Sequence, residues 1–169
     1  MEIKIYDNFL PEEKLKELQD LLVMNEFFSI YLHNGVAVPD EEKYNWNWYG
    51  THIFYRHDRP VSEYYDRIKC PLLDKVMEIT NSRSLLRMKL NFYPHSEQLR
   101  EHKPHQDFDF PHLAGIYCLN TCDGFTRLED GTKIDSIANR FYTFEAHKYH
   151  NSSTTTNTKG RFNINFNLI

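Results

Sequence analysis

Apolar positions along the chain change period twice, and each change marks a change of element. Pro11, Glu12 and Glu13 open a stretch in which Leu15, Leu18, Leu21 and Leu22 share one helical face. The acidic pair suits the positive end of a helix and proline suits its first turn, so the pattern predicts a helix over residues 11–24. Residues 29–60 read differently, with partial alternation in Asn45-Trp46-Asn47-Trp48-Tyr49 and a β-rich run His52-Ile53-Phe54-Tyr55. Strands are expected there, around a loop at Pro39-Asp40-Glu41-Glu42. A helical period returns between Val61 and Ile79, carried by Ile68, Leu72, Leu73, Val76 and Met77. Pro71 inside it predicts a kink or two shorter helices, because proline removes a backbone donor and clashes with the preceding turn.

From Ser84 onward the period is two. Leu86 to Tyr93 alternates strictly and stops at Pro94, and strand-like runs follow at 115–119, 125–128, 141–144 and 162–166. Asp130-Gly131 is a strong hairpin turn signal, and Ser152 to Thr158 reads as a polar loop. Short strands with turns every few residues mean a sandwich or barrel rather than a parallel sheet. The expected fold is mainly β with flanking N-terminal helices. One domain spans 1–169, with helical and strand support over about 1–83 and a β core over about 84–169.

Composition narrows the function. Twenty basic and 24 acidic residues leave a net charge of −4, with no basic run, so a nucleic-acid module is not expected. Twelve Phe, 11 Tyr and 2 Trp supply a core despite a mean hydropathy of −0.66. No stretch approaches 18 apolar residues, so no membrane-spanning segment is expected. Met1-Glu2-Ile3-Lys4 lacks the apolar region of a signal peptide, and Cys70, Cys118 and Cys122 cannot all pair within the chain. Free thiols and a cytoplasmic location are the expectation.

Nine histidines are the chemical raw material, five of them between His102 and His150. His105-Gln106-Asp107 places an imidazole and a carboxylate two residues apart, hence on one face of an extended segment. His95-Ser96-Glu97 competes as a second such triplet, although its position after Pro94 reads as a turn. His150 lies 43 residues after Asp107, and His147 is its local rival. Arg161 follows His150 by 11 residues at the start of the last strand. Two histidines and a carboxylate leave open positions on one side of a metal, the arrangement of non-haem Fe(II) oxygenases, and a nearby arginine can clamp a carboxylate. His102 is read as decoration of a strand or loop. Trp46, Trp48, Tyr49 and Tyr55 are candidates for either a substrate groove or simple packing. Asp109, Phe110 and His112, just past the metal pair, are candidates for the substrate side.

In Leu90-Asn91-Phe92-Tyr93-Pro94, His105-Gln106-Asp107, Gly115 to Asn120, Asp123 to Thr132, Asn139 to Ala146, His150 and Gly160 to Phe166, the chain resembles the 2-oxoglutarate/Fe(II)-dependent oxygenases. The similarity is to the prolyl-hydroxylase-like branch, in its short, single-domain phage or microbial form. Ile5-Tyr6-Asp7-Asn8-Phe9-Leu10-Pro11 also resembles the family's lead into its first helix. The resemblance implies a double-stranded β-helix, or jelly roll, with Fe(II) held by His105, Asp107 and His150. It implies Arg161 on the distal carboxylate of 2-oxoglutarate, Tyr93 bordering that cosubstrate, O₂ as oxidant and ascorbate as an accessory reductant. The implied substrate is a peptide or small molecule, with peptidyl proline as first guess. Cys118 stands where many members carry a tyrosine that helps bind the distal carboxylate, and Asn163 where many carry Ser or Thr. The amide of Asn163 or Asn165 is expected to supply that hydrogen bond. A catalytically silent jelly-roll binding module, and a cupin-like metal enzyme needing no 2-oxo acid, are the alternatives.

Overall fold

In the computed structural model of the chain, residues 2–36 and 46–169 are described. The loop expected at residues 39–42, and Asn45 of the following segment, lie outside them. The elements are β1 (Lys4–Tyr6), α1 (Glu12–Leu22), β2 (Tyr31–Asn34), β3 (Trp48–Arg56), β4 (Arg59–Pro60), α2 (Tyr65–Ile68), α3 (Asp74–Thr80), β5 (Leu85–Pro94), β6 (Leu113–Cys118), β7 (Phe125–Leu128), β8 (Lys133–Asp135), β9 (Phe141–Glu145), β10 (His150–Ser152) and β11 (Gly160–Leu168). All strand pairings are antiparallel. The larger sheet has the order β1-β9-β6-β11-β5-β3-β2, with β4 on β3, and the smaller has β10-β7-β8.

Helix α1 starts at Glu12 with Pro11 as its extended cap, and buries Leu18, Leu21 and Leu22. Each such side chain stabilises the fold by about 1.5–3 kcal/mol relative to exposure. The second helical stretch divides at the turn containing Pro71 into two short helices, as the sequence predicts. A π-helical turn, Lys69–Leu73, joins α2 to α3, so the wider turn accommodates the proline without ending the run. The Asp130-Gly131 hairpin joins β7 to β8, and Gly131 takes a φ of +87° that a side chain would resist.

Two cores lie on opposite faces of the larger sheet. Met88, Leu90, Tyr117, Leu119, Ile164, Phe166 and Leu168 point toward the helices and pack with Leu18, Leu22, Leu72 and Val76. Ala114, Ile116 and Cys118, the alternate residues of β6, point the other way, toward Leu128, Ile134, Tyr142 and Phe144 between the sheets. The period of two thus sorts each strand between a helix-facing side and an inter-sheet side. Among the described residues, no helix is long and apolar enough to cross a membrane.

A candidate metal centre at one end of a polar cavity

Strands β5 and β11 are neighbours in a register that pairs Tyr93 with Arg161, Asn91 with Asn163, Lys89 with Asn165 and Arg87 with Asn167. The intervening β11 residues Ile164, Phe166 and Leu168 belong to the helix-side core. These eight polar residues therefore share the inter-sheet face, where a one-residue slip would instead drive them into the apolar core.

His105 and His150 are tied by a reciprocal backbone bridge: His105 N to His150 O at 2.9 Å, and His150 N to His105 O at 3.0 Å. Their rings lie 4.5 Å apart. Ligand atoms of His105, Asp107 and His150 all fall within 4.8 Å of one another. His150 Nδ1 is 3.0 Å from the Lys148 carbonyl, a bond it makes as donor, which leaves Nε2 as a free lone pair. Arg87 Nη2 donates to Asp107 Oδ1 and Asn167 Nδ2 to Oδ2, each at 2.8 Å. Burial opposes ionisation of Asp107, yet Arg87 and Lys89 outweigh it and hold the carboxyl well below the usual range. Burial, reinforced by His150, lowers His105 to about 4, and burial also lowers His150. Two neutral imidazoles and an ionised carboxylate thus converge, the donor set a divalent transition metal takes.

At the far end Arg161 is wholly buried. Its Nη1 donates to the Phe125 carbonyl at 2.6 Å and its Nη2 to Thr126 Oγ1 at 2.9 Å. Nε has no partner, and the guanidinium sits 5.4 Å from the Tyr93 ring centre. Cys118 is buried and brings no hydroxyl, but a phenol still reaches this end. Tyr142 on β9 donates to the same Thr126 hydroxyl at 2.8 Å. Asn163 Oδ1 accepts from Asn91 at 3.1 Å, while Asn91 Oδ1 and Asn165 Oδ1 are buried without partners. A narrow cavity runs from the three ligand side chains past Asn163 and Asn165 to Tyr93 and Thr126, the residues Arg161 touches. Wider surface depressions exist, one beside α1 lined by Glu17, Leu18 and Pro71, but among the described residues the converging ligand group is the one of His105, Asp107 and His150.

The other sequence candidates divide. His102 is not decoration: it is 3% exposed, bonded through Nδ1 to Ser152 and set between the rings of Tyr93 and Trp46. Tyr49 stacks on Tyr93 at 6.1 Å, next to the cavity, whereas Trp48 packs on Phe92 and Tyr55 on Tyr65. Asp109 and Phe110 are exposed, and His112 is buried against Phe108, whose ring covers the Arg87 guanidinium at 5.1 Å. His147 and the exposed His95 are outside the ligand cluster. Arg87, Lys89, Thr126, Tyr142 and Asn167 were missed. Arg87 and Lys89 could have been found by carrying the alternation back from Tyr93; Tyr142 has no such signal, because its place depends on β9 pairing with β6.

No family model matches the chain, and no curated protein sequence does. Solved structures do. A prolyl hydroxylase from Trichoplax adhaerens, in complex with a hypoxia inducible factor oxygen degradation domain peptide fragment, is 18% identical at a TM-score of 0.71, covering 99% of this chain and 83% of that one. The viral collagen prolyl hydroxylase of Paramecium Bursaria Chlorella virus-1, in its 2OG complex, is 11% identical at 0.66, covering 98% and 94%. HygX from Streptomyces hygroscopicus, with nickel and 2-oxoglutarate bound, is 10% identical at 0.64, covering 98% and 82%. The chain therefore has the jelly-roll fold of these proteins, entered through an N-terminal helix.

Proposed function

We propose that the chain is a 2-oxoglutarate- and Fe(II)-dependent dioxygenase that hydroxylates a peptide or small molecule, peptidyl proline being the first candidate. The observation that carries this reading is one cavity with a His-Asp-His cluster at one end and, at the other, Tyr93 and Thr126, against which a fully buried arginine, Arg161, is held. It occurs on the fold of proteins solved with 2-oxoglutarate. The residues fit both groups. His105, Asp107 and His150 hold the metal through two neutral imidazoles and an anion. Arg161, with its unpartnered Nε, takes the distal carboxylate, beside Tyr93 and the Asn163 amide. Fe(II) with 2-oxoglutarate and O₂ supplies C–H hydroxylation coupled to decarboxylation, and ascorbate is the accessory reductant.

The chain's own residues orient and insulate that chemistry. Arg87 and Asn167 fix both oxygens of Asp107, so its free lone pairs keep one direction. The Lys148 carbonyl sets the His150 tautomer. Tyr142 and Thr126 hold the arginine end where Cys118 brings no hydroxyl. The Trichoplax relative carries a peptide, which favours a peptide among the substrates to be tried. A silent binding module would have no use for the complete set of three ligands and a buried arginine.

Fe(II) added anaerobically, followed by 2-oxoglutarate, should give a saturating visible band at about 500 nm, the sign of keto-acid chelation at a site with open positions. Asp107→Ala should abolish iron retention and the band together, because two neutral imidazoles hold the ion poorly. Iron bound without a band in the wild-type protein would refute the reading in favour of a metal enzyme that needs no 2-oxo acid.

A further inference from the structure

The four cross-strand pairs of β5 and β11 are not equally satisfied. Asn91 bonds Asn163 on the arginine side, and Arg87 Nε bonds Asn167 Oδ1 on the Asp107 side. Between them stand Lys89 and Asn165, which line the cavity and face one another in register. Asn165 is 4% exposed and its Oδ1 has no hydrogen-bond partner. The Lys89 ammonium has neither a carboxylate nor a hydrogen-bond acceptor among the described residues; its one recorded contact is the Tyr49 ring, 5.9 Å away. In register it sits one pair from Arg87, which holds Asp107, so it lies on the metal side of Asn91, and its charge acts on all three candidate metal ligands. Burial, with Arg87 nearby, pushes the amine down to about 8.

Charge accounting sharpens the point. Arg87 is paired with Asp107 at 2.8 Å, so these two cancel. Two cations then remain without an ion pair among the described residues: Lys89 on the cavity wall, which feels Asp107 without touching it, and Arg161, against the lining residues Tyr93 and Thr126 at the opposite end. A partly buried cation without a counter-ion is unfavourable unless a ligand supplies the charge. A dicarboxylate supplies two, one for each end. Asn165 is suited to such a site because its amide N–H can donate to the same carboxylate that Lys89 pairs with.

We infer that Lys89, with Asn165, is a second carboxylate anchor, gripping the keto-acid end of 2-oxoglutarate while Arg161 takes the distal carboxylate. This rests on the functional reading above. A carboxylate on the oxidised substrate would offer the same chemistry, and the test separates the two. Wild type, Lys89→Met and Lys89→Arg are loaded with Mn(II), which does not turn over, and titrated calorimetrically with 2-oxoglutarate and with 2-oxopentanoate, which lacks the distal carboxylate.

Lys89→Met should weaken both acids by about tenfold, the loss of one charge-assisted contact. Mn(II) affinity should not fall, and the melting temperature should hold or rise, since methionine keeps the length without the buried charge. Lys89→Arg should restore most of the affinity. Unchanged affinity for both acids in Lys89→Met overturns the inference and leaves Lys89 to a substrate carboxylate. Weakening of 2-oxoglutarate alone would overturn it too, by moving Lys89 to the distal carboxylate. If Mn(II)-loaded wild type binds no 2-oxoglutarate, the functional reading itself fails and the inference falls with it.

Discussion

His102 shows how burial changes what a residue does. Its ring is closed in by Tyr93, Trp46 and Ser152, and burial lowers it to about 4 from the ordinary 6.5. Between those values the unfolded chain binds a proton that the folded chain refuses. The stability tied to His102 is therefore complete above pH ~6.5 and is lost as the pH falls toward 4, by on the order of 3 kcal/mol. Urea unfolding of the metal-free protein between pH 7 and 4 should show this loss, and His102→Gln should make the profile shallower by about that amount, leaving the part due to His105 and His150. Identical slopes in the two proteins would mean that His102 is not held neutral. The sequence exposed His105, Asp107, His150 and Arg161 as chemistry, because their types and spacing are informative without a fold. It did not expose His102, since nothing local tells a buried imidazole from a solvated one.

Among the elements, β5, β7, β9 and β11 were legible because their alternation runs over four or more residues. β1, β8 and β10 have three residues each and are too short to display a period. The helical stretch through Pro71 was legible as helix, but its repair by a π turn was not, since that depends on Leu72 and Leu73 staying in the core. One glycine sets the arginine end. A Cβ on Gly124, in the approach to β7, would lie 2.8 Å from the Thr154 carbonyl and 2.9 Å from Arg161 Cδ. Gly124→Ala should therefore displace Arg161, weaken 2-oxoglutarate binding and leave Mn(II) binding intact. Its stability cost should be about 1–3 kcal/mol, the usual range for overpacking. Calorimetric titration of the variant checks the first effect and thermal melting the second.

At the scale of the whole molecule, Asn139 joins the N-terminal segment to the β core. It sits in the left-handed region at φ +64°, which asparagine tolerates better than alanine. Its side chain accepts from Leu10 N at 2.8 Å and Tyr117 Oη at 2.9 Å, and donates to Leu10 O at 2.7 Å. Asn139→Ala should cost about 3 kcal/mol for these three buried bonds, read as a lower denaturant midpoint with an unchanged slope. A neutral outcome would show that β1, paired with β9, holds the segment without it. Periodicity was enough to announce a mainly β chain with N-terminal helices, and residue type with the ordered family resemblance was enough to nominate His105, Asp107 and His150 for a metal and Arg161 for a carboxylate, because alternation is local and side-chain chemistry needs no fold. The folded chain alone decided that His105 meets His150 across a backbone bridge, that Tyr142 reaches the arginine end through β6, and that Lys89 faces Asn165 in register without an ion pair among the described residues. Those facts depend on which distant strands pair and in what register. That choice is made by closing loops and filling two cores at once, and no local pattern encodes it.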